Sequence, residues 1–163
     1  MKSVKGTIIS QSKAASGFWY SVISAEGIYR FFSKKESFSL FENCEVMLQR
    51  KNNTFFLSDF SSLDSTPPLK ARPDNIVVAF WLSSLAGSLT FYDSGELRFV
   101  EECRSAVSSD FDADLLEHIE ENYLKVAGFN ENEDKEDIIK DCFYGTINLR
   151  KSLINRFLSK DRR

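Results

Sequence analysis

The sequence predicts a five-stranded all-β barrel over residues 1–61, a proline-containing linker at 62–75, and an α+β module over 76–163 that ends in a helical hairpin. Three observations lead there. Before residue 62, strand-like segments recur about every ten residues with turn residues between them. All three prolines, Pro67, Pro68 and Pro73, fall in one short stretch, and after residue 112 apolar residues recur at helical spacing.

The predicted strands are 6–9, 17–22, 28–33, 45–49 and 54–57. Glu26 and Gly27 make the turn between the second and third, and Lys51, Asn52 and Asn53 the turn between the fourth and fifth. A chain of about 60 residues is marginal for an independent core, so contact with the second half is expected to support the barrel. Proline fixes its own backbone angle and turns the preceding residue away from helix, which ends the barrel before Pro67.

Beyond the linker, residues 76–85 form an apolar run too short for periodicity to separate helix from strand. Asp93, Ser94 and Gly95 supply a turn between strand-like flanks, predicting a hairpin over 90–100. From Asp112, the pattern Leu115/Leu116, Ile119, Tyr123 and Val126/Ala127 predicts an amphipathic helix that stops at Gly128. A second pattern from Ile138 to Leu158 carries Gly145 inside it, a residue that costs a helix about 1 kcal/mol relative to Ala and marks a kink or break.

Composition narrows the function classes. The chain is 42% hydrophobic over 163 residues, carries no signal-peptide pattern near its start, and holds no apolar run near the roughly 18 residues that cross a bilayer. A cytoplasmic protein with no membrane contact is expected. Cys44, Cys103 and Cys142 are odd in number and far apart, the pattern of free thiols in a reducing compartment rather than of disulfides or a zinc site. The net charge of −3 conceals an asymmetry. Residues 1–60 carry eight Lys/Arg against five Asp/Glu, residues 61–149 seven against eighteen, and residues 150–163 six against one. A basic aromatic module attracts a phosphate backbone and an acidic middle does not.

Aromatic residues crowd the second and third strands. Side chains alternate faces along a strand, so Phe18 and Tyr20 share one face and Tyr29 and Phe31 share another, which on pairing would make one platform of four rings. Unpaired bases stack on such platforms with about 1–3 kcal/mol per base, largely regardless of sequence. Lys2, Lys5, Lys13, Arg30, Lys34 and Lys35 lie around these strands and would supply charge for a nucleic-acid backbone. The competing reading makes the same aromatics a barrel core and a protein-facing patch.

The order Lys5-Gly6-Thr7-Ile8, Gly17-Phe18-Trp19-Tyr20-Ser21-Val22 and Ile28-Tyr29-Arg30-Phe31-Phe32-Ser33, with Val46 in a later strand, resembles the cold-shock domain, a five-stranded OB-type barrel. The likeness covers roughly the first 60 residues. In that family two aromatic motifs hold the bases of single-stranded RNA or DNA, and the resemblance implies that Phe18, Tyr20, Tyr29, Phe31 and Phe32 form the stacking face. Phe31 replaces the family's histidine, Ile9, Ser10 and Gln11 stand where it has an exposed Trp-Phe pair, Trp19 replaces a glycine, and Arg30 replaces a core aliphatic residue. An Arg inside a small barrel is expensive to bury unless paired, so either Arg30 reaches the surface or the register differs.

Other constellations carry less. Asp110, Asp112, Asp114 and Glu121 have the spacing of a calcium loop, but Leu115 occupies the position that needs glycine, and acids at a helix start explain the cluster. One histidine, His118, and no glycine-rich phosphate loop leave no recognisable catalytic centre, cofactor site or metal site. Arg150, Lys151, Arg156, Lys160, Arg162 and Arg163 complement the dipole of a terminal helix or offer a second phosphate contact. The expectation is non-catalytic binding of single-stranded RNA or DNA, with residues 76–163 serving a protein partner or homo-oligomer. The alternative is an adaptor whose aromatic barrel face and acidic helices dock a protein.

Overall fold

The computed structural model describes residues 1–89 and 94–161. Five strands close into a barrel in the order β1-β2-β3-β5-β4: β1 (Lys2–Ala14), β2 (Gly17–Ser24), β3 (Gly27–Ser33), β4 (Asn43–Lys51) and β5 (Thr54–Ser62). β3 and β5 pair in parallel and all other neighbours antiparallel, an arrangement that fits the OB-type barrel.

Closure depends on β1, whose first half pairs with β4 and second half with β2. Both ladders meet at Gly6, opposite Cys44 on one side and Ser24 on the other. A Cβ there would stand 2.1 Å from the Ile23 carbonyl oxygen, so the convergence of three strands needs glycine. The register then shifts between Ile8 and Ser10, and the bulge at Ile9 bends β1 around the barrel. Inside, Ile8, Tyr20, Val22, Phe31, Val46 and Leu48 are fully buried.

The proline-containing stretch holds a short helix α1 (Pro68–Ala71) and a 3-10 turn (Pro73–Asn75), and Pro67 and Pro68 are buried. The ambiguous run is helix α2 (Ile76–Gly87), apolar on nearly every face because β1, α3 and α6 all pack on it. Then come α3 (Ser94–Val107), α4 (Ala113–Val126), α5 (Lys135–Cys142) and α6 (Ile147–Asp161). Among the described residues no strand follows β5. The hairpin expected over 90–100 is therefore corrected: residues 90–93 lie outside the described residues, and Glu96 to Val100 are helical in α3. Phe99, Val100, Cys103, Ala106 and Val107 are its buried face, a helical period that the short strand-like window hid.

Asp112 caps α4, its carboxylate accepting from the Leu115 backbone N–H at 2.8 Å, which is the structural use of the acids there. The expected break near Gly145 falls between α5 and α6. No helix of the described residues is long and apolar enough to cross a membrane.

Besides the shared apolar core, side-chain hydrogen bonds among the described residues tie barrel and helices together. Ser83 on α2 donates to the Ile9 carbonyl of the β1 bulge at 2.6 Å. Arg104 on α3 donates to both Asp64 carboxylate oxygens, at 2.7 and 2.6 Å, and to the Phe41 carbonyl at 2.7 Å. Phe41 has a φ of 63°, a left-handed conformation costly for a bulky residue, and the Arg104 bond fixes its carbonyl. Deeper in the helices Arg150 binds Glu120 and Glu136, with Trp81 Nε1 also donating to Glu120. The Arg150 hydrogen bonds hold the Glu136 carboxyl below its ordinary range.

Candidate nucleic-acid interface

In the β2–β3 ladder Trp19 faces Phe32, Tyr20 faces Phe31, Ser21 faces Arg30 and Val22 faces Tyr29. Directly opposed residues share a face, so these pairs divide into an inner set and an outer set. Tyr20 and Phe31 are 0% exposed. Their rings stack at 5.6 Å, and Phe38 meets both edge-on at 5.2 and 6.0 Å. The Tyr20 hydroxyl accepts from the Ser37 backbone N–H at 3.0 Å, and burial pushes its phenol pKa up. A ring with no exposed face cannot take a base, so Tyr20 and Phe31 leave the expected stacking set.

Phe18 and Tyr29 are half-buried against the core. Phe18 lies 6.4 Å from the Tyr20 ring. Tyr29 packs edge-on to Phe55 at 6.0 Å, carries the Lys2 ammonium 4.9 Å from its ring centroid, and donates to Glu26 at 3.3 Å. Lys2 in turn pairs with Glu26 at 3.0 Å. Tyr29, opposite the buried Val22, is on the inner face and packs against the core, so it too leaves the platform. Of the expected stacking residues, Phe32 stands on the outer face.

The outer face carries its own aromatic strip. Trp19, Phe32 and Phe56 follow one another across β2, β3 and β5, with ring centroids 5.3 and 6.1 Å apart. None of the three packs against the buried core. Arg30 lies over the Trp19 ring at 4.8 Å and Lys51 over Phe56 at 6.0 Å, so a cation stands at each end. Gly17 makes the strip possible, since a Cβ there would come within 2.6 Å of the Phe32 ring.

Beside the strip the sheet opens. β3 and β5 pair only at Phe31–Phe55 and Phe32–Phe56, then part. The gap is a cleft of about 380 Å³ lined by Phe32, Phe56 and Phe60 with Lys34, Lys35 and Lys51. Phe60 is 45% exposed and meets Phe38 edge-on at 4.8 Å. The arrangement offers flat apolar faces beside unburied ammonium groups, the two contacts a single strand uses.

The expected backbone-charge residues scatter around this surface. Lys34 and Lys35 line the cleft and Arg30 crowns Trp19. Lys13 is exposed at the far end of β1, opposite Phe18. Lys5 lies on the β1–β4 side of the barrel, 4.0 Å from Glu45. Trp19, Phe56 and Lys51 were not among the expected residues. The signal for Trp19 was Arg30: a charged residue that must face out takes Phe32 and the opposed Trp19 out with it, and turns Tyr29 and Phe31 in.

Cys44 and Cys103 are buried and Cys142 is exposed. His118 is exposed on α4, 3.2 Å from the Asn122 amide. Comparison of the chain with protein-family models and with curated proteins finds no match.

Proposed function

We propose that this protein binds single-stranded RNA or DNA without catalysis, on the outer Trp19–Phe32–Phe56 strip and the adjoining lysine-lined cleft. The observation that carries this reading is the strip itself: three linked rings outside the core, bracketed by Arg30 and Lys51. Bases stack on the rings while Lys34, Lys35 and Lys51 attract the backbone. A duplex, whose base faces are already covered, gains only the charge. The resemblance to the cold-shock domain supports the same reading at the level of the barrel, with the stacking surface moved to the opposite side chains of the same strands.

In this reading the acidic helical part, residues 76–163, discourages non-specific binding and carries the protein partner or homo-oligomer contact, and the protein works in the cytoplasm. The test is fluorescence polarisation with short single-stranded and duplex oligonucleotides at two salt concentrations. Saturable binding that prefers single strands, weakens with salt and fails in the Trp19→Ala/Phe56→Ala double variant supports the proposal. Binding that the folded double variant retains overturns it. Absence of binding to every oligonucleotide makes the outer face a protein dock, the adaptor reading.

A further inference from the structure

The cleft contains one carboxylate among its lysines, and its position follows from an irregularity of the strand. In the β4–β5 ladder Leu48 faces Leu57 and Met47 faces Asp59, so Ser58 is an extra, unpaired residue. A bulge changes the phase of alternation. Phe56, opposite Gln49, is on the outer face, and Leu57, opposite the fully buried Leu48, is on the inner one. Without Ser58 the residue two places beyond Leu57 would face inward as well. With it, Asp59 joins Phe56, Gln49 and Met47 on the outside.

Asp59 is exposed and its Oδ1 accepts from the Phe60 backbone N–H at 2.9 Å, which orients the carboxylate. A groove that served phosphates alone gains nothing from a negative charge set among its lysines. A carboxylate beside aromatic faces instead suits the edge of a base lying on those faces. The bases differ in what they present there. Guanine offers two adjacent donors, N1–H and the 2-amino group. Adenine and cytosine place a ring nitrogen acceptor beside their amino group, and uracil and thymine flank one N–H with two carbonyl oxygens that a carboxylate repels. Gln49, on the same face, supplies an amide donor suited to guanine O6.

We infer that the cleft between β3 and β5 is a guanine-selective subsite within a bound single strand. The base stacks on the outward Phe32 and Phe56 rings, Asp59 accepts from N1–H and the 2-amino group, and Gln49 donates to O6, while Phe60, opposite the buried Val46, closes the rim of the cleft. This rests on the nucleic-acid reading above and adds to it a base preference that stacking alone does not create.

The test compares fluorescein-labelled heptamers of RNA, one all uridine and one with guanosine at the central position, on the full chain by fluorescence polarisation. The guanosine heptamer is expected to bind about 10-fold more tightly, the scale of one two-donor base contact. Inosine, which lacks the 2-amino group, should lose part of that advantage. Asp59→Asn keeps the side-chain volume and the oxygen that accepts from Phe60, and it should bring the two heptamers to within about twofold of each other, on the same scale. Equal binding of both heptamers by the unaltered protein overturns this inference while leaving the stacking reading in place. An undiminished guanosine preference in Asp59→Asn also overturns it. Competition by free GMP as effective as the guanosine heptamer would place the ligand among free nucleotides and overturn the assignment to a strand. Failure to bind either heptamer or its DNA counterpart overturns both this inference and the reading beneath it.

Discussion

The two faces of β2 and β3 carry the same kind of residue and do opposite things. Tyr20 and Phe31 on the inner face are fully buried and stack on each other, while Trp19 and Phe32 on the outer face meet edge-on and lie outside the core. One residue of displacement along a strand separates structural aromatic from available aromatic. What assigns the faces is the charge beside them: Arg30 cannot enter the barrel, and its face is thereby the outer one.

The sharpest way to break this contrast is to truncate one ring from each face. Phe31→Ala should destabilise the protein by about 3–5 kcal/mol, the cost of emptying an aromatic site in a packed core, read as a large fall in the midpoint of thermal or urea unfolding. Trp19→Ala or Phe56→Ala should each weaken single-strand affinity by about 1–3 kcal/mol and change stability by no more than about 1 kcal/mol. If Trp19→Ala unfolded the protein as Phe31→Ala does, the outer strip would be core. Tyr20→Phe keeps the ring and removes the acceptor of the Ser37 N–H, so a loss of about 1 kcal/mol of stability with unaltered affinity is expected.

A chemical probe sharpens the contrast at the smallest scale. Burial, and then the neighbouring Glu42 and Asp64 charges, push the Cys44 thiol up to about 12, and Cys103 is raised well above its usual value by burial. The thiolate is the reactive form. In the folded protein at pH 8 a thiol reagent should therefore modify Cys142, and in denaturant all three cysteines. Early modification of Cys44 would mean that the inner face opens to solvent.

The barrel was legible because its signals are local. The turns at Glu26-Gly27 and Asn52-Asn53, and the alternation between them, place the strands, and Asp112 and Gly128 bracket α4 as their capping chemistry requires. The site was legible only in part. The aromatic strands were recognisable, but which face turns outward depends on pairing across strands, and only Arg30 carried that information in the sequence. Phe56 and Asp59 share a face because of the Ser58 bulge, which no propensity at Ser58 announces. In α3, a five-residue stretch of alternating character fits both periods, and the decisive residues, Cys103 and Val107, lie beyond it.

The clasp between Arg104 and the barrel has a consequence for the order of synthesis. Arg104 follows Asp64 by 40 residues and Phe41 by 63. At about 5–20 residues per second, the ribosome adds Arg104 about 2–8 s after Asp64. During that interval the nascent barrel has all five strands but lacks the partner that holds its left-handed corner at Phe41. The barrel is thus locked only after its own strands are complete, by a side chain that reaches it from a helix made later.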